Sequence, residues 1–169
     1  MLIARTAMAL INYVTQIQFE FGAVGLLRQE CERIGIRRPL IVTDRGVKAA
    51  GLIDTVLNAL GHPAGVAVYD GTPPNPNEAA VREAVAVYLA GKCDGIVAVG
   101  GGSSIDLAKG VAVCATHEGP LQSFAVIEGG AERITARTAP SSRCRPPPAR
   151  AAKWAAARFS SSTTAARSA

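Results

Sequence analysis

The sequence predicts an α/β fold built on a doubly wound, mostly parallel sheet, and three observations predict it. Strand-like apolar runs alternate with helical patterns of roughly 10 to 15 residues, the rhythm of right-handed βαβ units. The clearest run, Gly95 to Val99, is apolar throughout, as expected when helices cover both faces of a sheet. That run then passes through three glycines straight into a helical pattern, reading GIVAVGGGSSIDLAK from Gly95 to Lys109.

Taken in order, Ile11 to Phe21 alternates as one or two short strands. Gly22 then opens a helix carrying Val24, Leu26, Leu27, Cys31 and Ile34 toward Gly35. Pro39 precedes the β-branched run LIVTD, which ends at Asp44. A second helix with Val47, Leu52, Ile53, Val56 and Leu60 stops at Gly61. Val66 to Tyr69 is a third strand. In the GTPPNPN that follows, Asn75 can cap a helix, Pro76 suits its first position and Glu78 can reach back, so a third helix runs to about Ala90. Gly95 to Val99 is the fourth strand, and Ser103 to Thr116 is the helix it feeds. Beyond Pro120 the pattern weakens to a connector at Phe124 to Glu128 and a strand approach at Glu132 to Thr135.

At 169 residues the chain has length for one α/β domain and little more. Its net charge of +5 is unevenly placed, because all 13 acidic residues precede Ser141. Residues 1 to 140 sum to −1, whereas Arg143, Arg145, Arg150, Lys153, Arg158 and Arg167 give the last 29 residues +6. The body therefore carries no nucleic-acid footprint. No apolar stretch approaches the roughly 20 residues that cross a bilayer. The short apolar run after Arg5 resembles a weak signal peptide until Asn12, Thr15, Gln16 and Gln18 interrupt it. Cys31, Cys93, Cys114 and Cys144 form no CxxC pair, which reads as reduced, mostly buried thiols and a cytoplasmic protein.

From Ser141 onward there is no Leu, Ile, Val or Gly, and such a segment cannot build a core. The division expected is an incomplete α/β domain over 1–140 and a disordered Ala/Arg/Ser tail over 141–169. A shifted reading frame explains the tail more sharply. If one nucleotide is lost near the Pro140 codon, codons for SSRCRPPPARAAKWAAARFSSSTTAARS can be chosen that read VIAVPTTAGTGSEVGRGAILILDDGRKV in the neighbouring frame. That text supplies a buried strand, a glycine-rich turn and a second strand ending in a DDG hairpin signal. Third-position choices are free for Ala, Arg, Pro, Ser and Thr, whereas the glycine arising after Trp154 is forced by its codon. The expectation that follows is a sheet with an uncovered apolar edge beyond the fourth strand, which favours aggregation.

The glycine turn is the candidate functional centre. Side-chain-free glycines let backbone N–H groups close on an anion, and the following helix adds unpaired donors and the positive end of its dipole. Gly101, Gly102 and Ser103 are the candidate contacts, with Gly100 shaping the turn; packing alone is the competing reading. The GxGxxG fingerprint after a first strand is absent. Asp44 closes the second strand, where a carboxylate can accept both hydroxyls of a ribose or cap the helix near Gly46, and one residue can do both. Arg45 beside it tolerates a 2′-phosphate or faces solvent. Asp106 lies one turn into the phosphate helix, with Lys109 placed to pair with it. His62 and His117 read as loop histidines, and no Ser/His/Asp order, paired carboxylates or HExxH suggests hydrolysis.

FGAVGLL at Phe21 to Leu27, LIVTDRG at Leu40 to Gly46, PNP at Pro74 to Pro76 and GGGSSIDLAK at Gly100 to Lys109 resemble the iron-containing (group III) alcohol dehydrogenases. The resemblance spans roughly residues 11 to 140, and the shifted-frame PTTAGTGSE looks like the family's next motif. It implies a dehydroquinate-synthase-like N-terminal cofactor domain, a helical C-terminal domain absent here, and a cleft between them for a divalent metal. The implied reaction is hydride transfer between a small alcohol or aldehyde and NAD or NADP, with NAD favoured by Asp44. In the family Gly101, Gly102 and Ser103 match the diphosphate turn, Asp44 the ribose contact, and Asp106 borders the nicotinamide and substrate cleft as the candidate catalytic residue. The family's iron is held by one aspartate and three histidines from later sequence, which neither His62 nor His117 matches, so no metal ligand is assigned and this chain is expected to be inactive alone. A homo-oligomer is compatible with this reading, and no nucleic-acid or membrane partner is expected. Two other readings compete. One is a non-enzymatic nucleotide-binding module whose cationic tail recruits an anionic partner. The other is the chemistry of dehydroquinate-synthase-like relatives, whose glycine turn fits SSIDLAK less well.

Overall fold

The structure, a computed structural model, describes residues 15–19, 22–62, 65–146 and 158–162. Its elements are β1 (Thr15–Phe19), α1 (Leu27–Arg33), β2 (Pro39–Val42), α2 (Arg45–Ala49), α3 (Leu52–Ala59), β3 (Ala67–Tyr69), α4 (Glu78–Ala90), β4 (Gly95–Val99), α5 (Gly102–Cys114), β5 (Ser141–Arg145) and β6 (Arg158–Ser162). One sheet holds all six strands in the order β1-β6-β5-β4-β2-β3. β5, β4, β2 and β3 run parallel, while β6 and β1 are antiparallel additions. The expected doubly wound α/β architecture is what forms.

Strand alternation sorts the core into two layers. Leu40, Val42, Ile96 and Ala98 pack with α4 and α5 on one face. Ile41, Val97, Val99 and Cys144 pack with α1 and α3 on the other. Every residue of β2 and of β4 is buried, which explains why neither strand needs a polar face. The helices after β2 cover one face and those after β3 and β4 the other. The chain therefore reverses direction between β2 and β4, and the C-terminal ends of these two strands diverge into a crevice.

Several local expectations shift. The pattern read as one second helix is split into α2 and α3 by Gly51, whose φ of +74° no helix interior accommodates. Asn77, not Asn75, caps α4 by accepting the N–H of Ala80 at 3.0 Å. Glu78 accepts instead from the Leu121 amide at 2.9 Å and from Arg82 at 2.9 Å, joining α4 to the connector. Glu132 to Thr135 makes no strand, because Gly130–Arg133 closes a 3-10 turn.

The expectation of a bare edge beyond β4 is overturned. Ser141–Arg145 pairs in parallel with β4, Ile96 opposite Ser141 and Val99 opposite Cys144, and β6 then pairs with β5. Backbone ladders need no particular side chain, so an Arg/Ser segment can occupy the position although it contributes little burial. The N-terminal apolar run, Ile11 to Val14, Phe21, Arg150, Lys153, Trp154 and Arg167 lie outside the described residues.

Candidate nucleotide site

The crevice at the β2 and β4 ends brings Asp44, Arg45 and Ser103 together, with Gly101 and Gly102 in the turn beside Ser103. Asp44 leaves β2 in an extended conformation and caps α2, its Oδ1 accepting the Val47 N–H at 2.9 Å. Its other oxygen, Oδ2, lies 3.5 Å from the Ser104 hydroxyl, at the outer limit of a hydrogen bond. Capping is thus part of what Asp44 does, and Oδ2 is left facing the turn that follows β4.

In that turn the three glycines answer to different constraints. Gly100 has φ +145°, and a Cβ there would stand 2.6 Å from Ser104 Oγ and 3.4 Å from Asp44 Oδ2, so the protein itself requires glycine. Its N–H donates to the Cys144 carbonyl at 3.1 Å, tying the turn to β5. Gly101 and Gly102 have no such need: Gly101 is extended, Gly102 is helical, and a Cβ at either would meet nothing within 4 Å. The first turn of α5 is also left without a side-chain cap. Two bare positions, uncapped helical amides and a positive helix terminus make a cradle for an oxyanion.

Ser103 Oγ donates to the Pro74 carbonyl, which fastens the start of α5 to the PNP loop. Between them lies a cleft of about 600 Å³ lined by Asp44, Asp70, Thr72, Pro74 and Ser103 among others. Lys48 Nζ lies 2.5 Å from Asp70 Oδ2, and this contact holds the Asp70 carboxyl below the usual carboxylate range. Asp106 stands one turn further along α5, outside the lining of this cleft, with its carboxylate 2.9 Å from Lys109 Nζ.

Sequence reasoning missed three features around the cleft. Gly71 is required because a Cβ would lie 2.9 Å from the Tyr69 ring. The Tyr69 hydroxyl donates to Glu83 at 3.0 Å, and burial, then Glu83, pushes its pKa up to about 12. The hydroxyls of Thr43 and Thr72 are buried without a protein partner among the described residues. In the sequence Thr43 looks like an ordinary strand former and Thr72 like part of a turn, and nothing in the pattern marks either.

The histidines stand apart from this site. His62 is an exposed residue with φ +49° just after α3. His117 accepts the Thr135 N–H on Nε2 at 3.0 Å, while Nδ1 lies 3.1 Å from the Val113 carbonyl and donates to it, which pins the connector to the end of α5. Among the described residues no group of three or more His, Cys, Asp or Glu side chains could hold a metal ion. The four cysteines are free, three of them buried, and no described helix is long and apolar enough to cross a membrane.

A glycine turn feeding a helix at the reversal point of a doubly wound sheet defines a class of α/β domains that take nucleotides at that place. The chain belongs to the iron-containing alcohol dehydrogenase family, whose model matches residues 14–144. A 4-hydroxybutyrate dehydrogenase of Cupriavidus necator is 61% identical over 133 residues, 79% of this chain and 35% of the relative. A 1,3-propanediol dehydrogenase of Klebsiella pneumoniae is 43% identical over 111 residues, 63% of this chain and 28% of the relative. Among solved structures, an NADH-dependent butanol dehydrogenase from Thermotoga maritima superposes with a TM-score of 0.55 at 33% identity, over 63% of this chain and 27% of that one. The chain thus spans about a third of the length of the curated relatives it matches.

Proposed function

We propose that this chain is the cofactor-binding part of an NAD(P)-dependent alcohol dehydrogenase that acts on short compounds with a terminal hydroxyl. The observation that carries the proposal is the pair of glycines, Gly101 and Gly102, whose missing side chains neither the backbone nor the packing demands. A bound diphosphate supplies the demand, since its oxygens must approach these amides more closely than a Cβ allows. Gly101, Gly102 and Ser103 grip the diphosphate, and Asp44 Oδ2 accepts the adenosine ribose hydroxyls while Oδ1 stays on the Val47 amide. Asp70 is paired with Lys48, so Asp44, whose Oδ2 faces the cleft, is the carboxylate that favours NAD over a cofactor carrying a 2′-phosphate.

The substrate class comes from the relatives, since 4-hydroxybutyrate and 1,3-propanediol both end in a primary alcohol. In such an enzyme the alcohol carbon gives hydride to the nicotinamide. Asp106 borders the place where these meet, held in orientation by Lys109. The described residues offer no ligand set that fits the family's metal. We place the in-frame part of the cofactor domain at residues 1–140, its sheet extended by β5 from shifted-frame text over 141–169, and the protein in the cytoplasm.

Calorimetric titration with NADH tests the reading. The wild-type chain is expected to bind, and Gly101→Val to bind at least about ten-fold more weakly, with the melting temperature lowered only by the small cost of an apolar N-cap, because a Cβ there meets nothing in the protein. Full NADH affinity in Gly101→Val would overturn the assignment.

A further inference from the structure

We propose that Arg145, at the C-terminal end of β5, is a second anion contact of the dinucleotide, holding the phosphate that carries the nicotinamide riboside. The inference rests on the proposed NAD site and extends it to a strand whose sequence shares nothing with the rest of the sheet.

β2, β4 and β5 are consecutive neighbours in the sheet, so their C-terminal ends form a row with steps of about 4.8 Å. Asp44 follows the end of β2 and the glycine turn follows β4. A dinucleotide with its adenosine ribose at Asp44 and its diphosphate at Gly101 and Gly102 is already travelling along this row, and its second half arrives above β5. The Gly100 N–H donates to the Cys144 carbonyl at 3.1 Å, which sets the end of β5 level with the turn. Arg145 is the next residue, and it is exposed.

Alternation fixes the side. Arg143 pairs with Ala98, which packs in the layer containing α5. Two residues on, Arg145 shares that face, the one from which the N-terminus of α5 presents its amides. Charge gives an independent reason. The described ion pairs leave Arg145 without a carboxylate, and every acidic residue of the chain precedes Ser141. An anion held between Arg145 and the helix terminus gives that cation a partner, and a guanidinium offers a phosphate a planar pair of donors. Position and charge suffice for this contact, whatever the origin of the codons that encode the strand.

The experiment is a ligand ladder on the full chain by calorimetry: AMP, ADP-ribose and NADH against the wild type, Arg145→Gln and Arg145→Lys. Arg145→Gln is expected to weaken ADP-ribose and NADH by about ten-fold and to leave AMP within about two-fold, because AMP stops short of β5. Arg145→Lys keeps the charge without the fork and is expected to lose about three-fold. The salt dependence of NADH binding should be shallower in Arg145→Gln. Unchanged NADH affinity in both variants overturns the inference, as does an equal loss for AMP, which would locate the effect in the fold or in the adenosine half. If the wild type binds none of the three ligands, the NAD site itself fails, a result distinct from a wild type that binds all three and ignores Arg145.

Discussion

β4 and β5 lie side by side in the same parallel register, yet one reads GIVAV and the other SSRCR. β4 is buried at every residue and supplies both core layers, whereas β5 buries only Ser142 and Cys144. The Cys144 thiol fills a place among Val97, Val99 and Ile41, but the Ser142 hydroxyl is buried with no partner among the described residues. The difference separates two causes that usually act together. The ladder of backbone hydrogen bonds assigns the position, and apolar side chains make it stable. β5 has the first with little of the second.

The neighbouring-frame text makes that contrast testable. It would place valine, isoleucine, alanine and valine at positions 141 to 144, so the polar residue with the orphaned hydroxyl becomes the largest apolar one. Replacing residues 141–168 by VIAVPTTAGTGSEVGRGAILILDDGRKV is expected to stabilise the domain by about 3–5 kcal/mol, from added apolar burial and removal of the unsatisfied hydroxyl. For a chain of this size that is a rise of roughly 10 °C in melting temperature, read by calorimetry. No rise would mean that SSRCR is the strand this sheet needs, and the frame argument would fall.

The next effect separates the strands by pH. Burial, then the Glu30 carboxylate, pushes the Cys31 thiol up to about 12, and burial raises the Cys144 thiol as well. Unfolded thiols ionise near 9, so above that pH the unfolded chain has released protons that the folded one retains, and stability falls as pH rises toward 12. The melting temperature is expected to drop by several degrees between pH 9 and 11. Cys144→Val should flatten that slope, and an unchanged slope would show that the β5 thiol is not held protonated.

A single substitution sharpens the same comparison at smaller cost to the rest of the chain. Ser142→Val removes the orphaned hydroxyl and adds buried carbon next to Val97, and is expected to stabilise by about 1–2 kcal/mol in denaturant titrations. A loss of stability would mean that the hydroxyl is satisfied in solution or that the site is too small.

What the sequence disclosed follows the same division of causes. β2 and β4 were legible because burial on both faces makes them continuous apolar runs, and α4 and α5 because their apolar faces recur at helical spacing. β5 was illegible because its place is assigned by Gly95 to Val99 next door and by nothing in SSRCR itself. The break between α2 and α3 was signalled by Gly51, but a glycine flanked by helix formers does not announce a φ of +74°. At the site, Asp44 and the glycine turn were readable because their backbone roles are local. The fastening of Ser103 to Pro74, the ion pair between Lys48 and Asp70 and the buried hydroxyls of Thr43 and Thr72 join residues far apart or depend on packing, so no local pattern carries them.

The smallest expected effect belongs to the residue nearest the proposed chemistry. Asp106 and Lys109 form an exposed i,i+3 pair, with side chains 62% and 61% accessible, and such pairs contribute little because water screens them. Asp106→Asn keeps the shape of the side chain and removes its charge, so stability should change by less than about 0.5 kcal/mol. NADH binding should also hold within about two-fold, since Asp106 lies a full turn along α5 beyond Gly101 and Gly102, the proposed diphosphate contacts. Such a variant in a full-length relative, folded and loaded with cofactor, then isolates the hydride step: a fall in kcat with KM for NAD unchanged assigns Asp106 to the substrate side. A loss of stability in this chain as large as the gain expected from Ser142→Val would instead make Asp106 a structural partner of Lys109 and end its candidacy.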